Sequence, residues 1–348
     1  MRLASTRWFA RLALSALAGA VMAAPAGAQR TERFTITGSR AAVYNLAGEV
    51  TVAAGTGTAV VVEVTRRGQD AAALRVSRNG GAVRVVTPGD RVVYPPLGRS
   101  SSQFPVRRDG RLGRGLRSRR VTVAGSGAGT RAHADVRVLV PAGRAVVVHQ
   151  GVGRVQVSNV NARLQVFTVT APVRALRTRG ALDVAVLSGA VEVRDAQGDV
   201  ALSTGSGTVT FSGVRGTRVE VETGSGAVTG SDVRAEELTV DVGSGAVELA
   251  RVSAREVEVE MGNGAVRMGL VADARSVEVE TGSGAVDLTV PAAFGAEVQV
   301  STGSGGIAVD VPVARRQARR DFFRGVVGDG NGRVIISTGS GGVRIRRG

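Results

Sequence analysis

The motif Gly-Ser-Gly-Ala-Val, or a close variant, begins at Gly205, Gly224, Gly243, Gly262, Gly282, Gly303 and Gly339, in steps of 19, 19, 19, 20, 21 and 36 residues. Weaker copies precede it at 18-residue steps: Gly189-Ala190-Val191, Ala171-Pro172-Val173 and Gly153-Arg154-Val155. About ten copies therefore run from about residue 146 to the end. Within each copy apolar residues alternate with period two, which marks strands. Leu238, Val240 and Val242 precede one Gly corner and Val247 and Leu249 follow it; Val257, Val259, Met261, Val266 and Met268 take the same places one copy later. A unit this short with two strands cannot bury its apolar side alone, so it must stack on its neighbours. The expectation is an all-β fold: a β-solenoid of about ten 18–21-residue coils, with Val221, Val240, Val259 and Val279 as one inward ladder. Ser206, Ser225, Ser244, Asn263, Ser283, Ser304 and Ser340 stack along one edge. An antiparallel sandwich of hairpins is the alternative, but its strands have individual neighbours and need not repeat residue by residue.

The remainder of the chain divides by composition. Arg2, Arg7 and Arg11, an apolar run from Leu12 to Ala24, and Ala26-Gly27-Ala28 predict a signal peptide over 1–28. A membrane anchor is the alternative, although the run is short for a span. Residues 29–93 carry short alternating stretches and are expected to form a β-rich module capping the solenoid. Residues 94–120 hold Pro, Gly, Ser and eight Arg against Asp109 without periodicity, and read as a loop or disordered insertion. The solenoid takes 121–348. The 36-residue step predicts an Arg-rich excursion near 308–333, partly helical around Ala314 to Phe323 and docked by Phe322 and Phe323.

With Tyr44-Asn45-Leu46-Ala47-Gly48 near the start, Val140-Pro141-Ala142-Gly143 in the middle and Gly-Ser-Gly-Ala-Val coils behind, the chain resembles the bacterial "putative adhesin" family of exported β-strand-repeat proteins. That family is of otherwise unknown function and its label rests on architecture, so the resemblance implies a fold and supplies no catalytic residues.

Chemistry is sparse. Only His133 and His149 are present, with no Cys and 3% aromatics. Nucleophile–base pairs, thiol-ligated metals and long aromatic sugar grooves are therefore poorly supplied. The Asp-bearing nonapeptide of calcium-binding β-rolls is absent. No enzyme activity, cofactor or metal is expected. Two charged features remain. Outward positions between the ladder valines place Glu220, Glu222, Asp241, Glu258, Glu260, Glu278 and Glu280 over four coils, either as a cation-binding array or as a solvated face. Net charge is +16, every basic residue is Arg, and residues 99–120 alone contribute +7. Arg107, Arg108, Arg111, Arg114, Arg117, Arg119 and Arg120 could hold phosphate or carboxylate groups bidentately, or could simply solubilise a loop. Export would make acidic envelope polysaccharide or anionic lipid headgroups the partners, with nucleic acid unfavoured. The function expected is a non-enzymatic exported adhesin, envelope scaffold or binding module. The alternatives are a periplasmic regulatory ligand-binding component and a polysaccharide-acting β-helix enzyme.

Overall fold

The computed structural model describes residues 31–108, 110–113 and 118–348; the signal peptide expected at 1–28 lies outside the described residues. The repeats form a parallel β-solenoid. Arg218–Ser225 lies on a first sheet, the chain turns at a Gly corner, and the strand starting at Val228 lies on a second. A short return side then leads to the next coil. Val221 pairs with Val240, Val240 with Val259 and Val259 with Val279, all in parallel register, and each is fully buried. Neighbouring strands sit about 4.8 Å apart, so equal residues one repeat apart must touch.

The corner glycines are fixed by close approach as well as by φ. Gly264 has φ +141°, and a Cβ there would lie 1.6 Å from the Gly245 carbonyl oxygen. At this corner only glycine lets consecutive coils stack so tightly. Behind them, buried side chains satisfy the corner carbonyls: the Gln150 amide donates to Gly48 O at 2.9 Å and Thr302 Oγ1 to Gly341 O at 3.1 Å.

Both ends depart from simple stacking. Arg40–Ala54 pairs in parallel with Ala145–Ser158 from Arg40↔Ala145 to Ala53↔Ser158, so part of the expected capping module is itself a coil. Its other side meets Ala82–Val86 and His133–Val140. The chain thus steps over this coil at Pro141-Ala142-Gly143. Thr31–Ile36, Val60–Arg67 and Arg75–Asn79 then close that end with antiparallel pairs.

The C-terminal end repeats the device. Gly332–Ser340 lies between Ser276–Ser283 and Ala296–Ser304, and Val343–Arg347 lies between Val286–Val290 and Ile307–Asp310. The last coil in sequence is the penultimate in space, and the serine edge runs Ser283, Ser340, Ser304.

Two expectations are corrected. The excursion near 308–333 is not helical around Ala314 to Phe323. Val313–Ala318 and Phe322–Val327 form an antiparallel hairpin on Ala296–Ser304, because an unpaired strand edge there offers ladder hydrogen bonds. Phe323 is buried and Phe322 half-buried. Nor is 94–120 a plain loop: Ser101–Arg107 and Ser118–Ala124 pair antiparallel, with Arg91–Val93 beside them. Phe104, Val106, Val121 and Val123 close a second small core over Leu46 and Val152. No helix among the described residues is long and apolar enough to cross a membrane.

Candidate binding face

Parallel register turns each outward position of the first sheet into a column along the stack. One column begins with Arg84, Tyr44, His149 and Phe167. It continues through the small Ala185 and Ser203 into Glu222, Asp241, Glu260 and Glu280, and ends at Ser337 and Ser301. A single face therefore carries a basic, aromatic end and an acidic stretch.

All seven acids expected from the sequence project from this sheet. Glu222, Asp241, Glu260 and Glu280 are unbroken neighbours; in the adjacent column Thr239 separates Glu220 from Glu258, which then meets Glu278. Sequence reasoning missed a third column, where Glu237 pairs with Arg218 at 2.8 Å and Glu256 approaches Arg275 at 3.7 Å. None of the seven forms an ion pair among the described residues. Desolvation first, then Glu260, Glu278, Glu237 and Glu280, push the Glu258 carboxyl above its ordinary range. Where the acidic column reaches the C-terminal hairpin, Asp241, Glu260, Glu280, Asp321, Phe322 and Ser301 help line a groove of about 800 Å³. Among the described residues no group of three or more His, Asp or Glu could hold a metal ion.

The second sheet is built differently. Its outward column runs Arg174, Glu192, Thr210, Thr229, Glu248, Arg267, Asp287 and Arg344. Opposite charges there neutralise one another, with Arg174–Glu192 at 3.2 Å and Arg267–Asp287 at 3.9 Å. Coil stacking thus permits alternation, and the first sheet segregates its charges instead.

At the basic end the rings of Tyr44 and His149 stack at 4.4 Å and 4°, and those of His149 and Phe167 at 5.1 Å and 19°. The guanidinium carbons of Arg84 and Arg111 lie 5.7 and 5.9 Å from the Tyr44 ring centre, within cation–π range. Arg40 donates to Gln165 Oε1 at 2.8 Å beside them. Burial, then the charges of Arg40 and Arg111, lower the His149 pKa to about 4, so the imidazole is neutral at pH 7.

The expected arginines take different places. Arg107, Arg108 and Arg111 are exposed at the end of the small hairpin, and Arg120 is exposed on its second strand. Arg119 instead donates to the carbonyls of Thr87 and Gly89, which ties the hairpin to the solenoid. Arg114 and Arg117 lie outside the described residues. The sequence reading passed over Arg84, Tyr44, His149 and Phe167 as site residues. One signal was available, since His149 and Phe167 are one 18-residue step apart.

Residues 119–346 match the family model described as Toastrack DUF4097, which covers more than half of the chain. The chain belongs to the Toastrack DUF4097 family. The resemblance to an exported β-repeat family is thereby borne out at the level of the fold family, whose function is not known. In this Toastrack chain the matched region begins within the second strand of the small hairpin and takes in the repeats from there to the last coil in sequence, leaving the Arg40–Ala54 coil outside. No curated protein matches it. Among solved structures, one titled "putative cell adhesion protein" from Clostridium sporogenes is similar over 92% of this chain and 100% of its own, at 9% identity and a TM-score of 0.17.

Proposed function

We propose that the protein is a non-enzymatic, exported scaffold or adhesion module of the cell envelope that binds an anionic polymer through the basic end of its first sheet. The observation that carries this reading is charge segregation: one sheet alternates its charges, while the other gathers Arg40, Arg84 and Arg111 at one end and carboxylates beyond. A field concentrated this way attracts polyanions over a Debye length. The two histidines support a structural role. His149 is neutral and stacked between two rings, and His133 packs edge-on against Tyr94 at 5.0 Å. Export rests on the basic, apolar and Ala-x-Ala pattern of residues 1–28.

The test is retention of the mature protein on heparin across a salt series, beside a variant with Arg107, Arg108, Arg111 and Arg120 replaced by Ser. Arg119 is left in place because it holds backbone carbonyls. Wild-type retention that falls steeply with salt and is reduced in the variant supports the reading. Absence of wild-type retention at low salt overturns it.

A further inference from the structure

Arg84 is placed by register, not by a loop. It sits on Ala82–Val86, directly beside Tyr44 in the adjacent parallel strand. Its side chain is turned outward from the core, yet the residue is only 6% exposed. Gly110 lies against it: a Cβ on Gly110 would sit 3.8 Å from the Arg84 Cβ. Among the described residues its guanidinium forms no ion pair and no hydrogen bond, and its Nε is buried without a partner. A guanidinium taken out of water needs its donors satisfied and its charge balanced. The Tyr44 ring supplies part of that through its π-face, but a ring accepts no in-plane N–H. What the described residues do not supply is an oxyanion with two acceptor oxygens, the partner a guanidinium fork takes bidentately.

We propose that Arg84, which shares the Tyr44 ring with Arg111, is the anchor of a discrete site for the carboxylate or sulfate of an acidic sugar unit. The inference rests on the reading of the basic end as a polyanion surface and names the ligand class at that surface. Two observations favour a glycan over an anionic bilayer. The anchor is 6% exposed, which offers no flat surface to a headgroup layer and room for no more than a single protruding group. The same sheet face also carries Glu222, Asp241, Glu260 and Glu280 in line with the anchor, and these would be pressed against a negative membrane. A flexible chain can cross the basic end without following that column.

The experiment titrates the mature protein with a heparin-derived tetrasaccharide, an oligogalacturonate of equal length, and phosphatidylglycerol vesicles. Affinity is followed by calorimetry, and the His149 imidazole resonances by NMR. Arg84→Gln, Arg84→Lys and the distant control Arg344→Ser are compared, with melting curves to confirm that each is folded. The expected result is a tenfold or greater loss for Arg84→Gln, partial retention in Arg84→Lys and no change in Arg344→Ser. In the wild type, the His149 signals should shift on saccharide binding. Binding of the oligogalacturonate shows that a carboxylate suffices, and binding of the heparin fragment alone assigns the group held to sulfate. Saccharide binding of equal strength in wild type and Arg84→Gln, with unmoved His149 signals, overturns the site and leaves the polyanion reading standing. No wild-type binding to any of the probes overturns both. Vesicle binding that outcompetes both saccharides at equal charge replaces the glycan with a membrane. Should Arg84→Gln fail to fold, unmoved His149 signals in the wild type at saturating saccharide alone overturn the site.

Discussion

The intercalated C-terminal coil makes a prediction about distances that sequence order contradicts. If coils stacked as they are connected, Ser304 would lie beside Ser283. In the structure Ser340 pairs with Ser283 on one side and Ser304 on the other. Adjacent parallel strands are about 4.8 Å apart, so Ser283 and Ser340 fall inside the Cα range a disulfide accepts, about 4.4–6.8 Å. Ser283 and Ser304 are two spacings apart, about 9.6 Å, beyond what a disulfide bridges. The chain has no Cys, so two double variants suffice: Ser283→Cys with Ser340→Cys, and Ser283→Cys with Ser304→Cys. The first should oxidise readily to an intramolecular disulfide, read by mass and by non-reducing mobility after peptide mapping. It closes a loop of roughly 60 residues, which chain entropy values at about 4 kcal/mol, so oxidation should raise the melting temperature. The second pair should stay reduced in the folded protein. Oxidation of the second pair in preference to the first would refute the intercalated order.

Four further outcomes follow from the same geometry. Val240→Asp puts an unpaired carboxylate on the fully buried ladder and should cost about 4 kcal/mol or more, read by denaturant midpoint. Gly264→Ala meets a carbonyl and a left-handed φ and should lose at least about 2 kcal/mol, whereas Gly306→Ala, with no atom within 4 Å of its Cβ, should be neutral or slightly stabilising. Glu258→Gln removes like-charge repulsion of about 0.8 kcal/mol per neighbour, so it should raise the melting temperature at low salt and lose that advantage at high salt. His149 titrates near 4 when folded and near 6.5 when unfolded. Its contribution is thus complete above about pH 6.5 and is lost as pH falls toward 4; the full shift is about 3 kcal/mol, reduced by screening at a half-buried ring, and His149→Phe should flatten that part of the stability profile.

The regular middle of the fold was legible because a solenoid writes its spacing into the sequence: each inward Val has a twin one coil away. The ends were not, because their coils pair with segments remote in the chain. Arg40–Ala54 aligns with Ala145–Ser158 across some hundred residues, and no period reports that. A trace existed in hindsight, since Asn45 and Gly48 pair with the places of Gln150 and Gly153, repeating a buried amide three residues before a corner glycine. The small sheet was hidden for another reason. Its alternation spans only Phe104 and Val106 on one strand and Val121 and Val123 on the other, with arginines densely placed between. The acidic columns were legible because outward positions inherit the repeat. Arg84 was not, because its place beside Tyr44 comes from a coil the sequence does not announce.

The segregated face has a consequence for how a charged polymer would lie on it. Ala185 and Ser203 separate Phe167 from Glu222 along the column, so only two small residues lie between the aromatic end and the first carboxylate. At about 4.8 Å per strand that gap is comparable with two Debye lengths at physiological salt. A polyanion held at Arg84 and Arg111 is therefore screened from the carboxylates while it stays on the basic end and is repelled only where it extends along the column, which steers it across the sheet, along the strands. The bound chain then leaves the acidic stretch uncovered, and the groove beside Asp321 stays open to solvent. Raising salt would weaken the attraction and the steering together, whereas neutralising Glu222 and Asp241 would relax the steering alone. Ser substitutions at those two acids should therefore lengthen the stretch of polymer protected by the protein without reducing affinity, and a shortened or unchanged footprint would show that the acidic columns play no part in orienting the ligand.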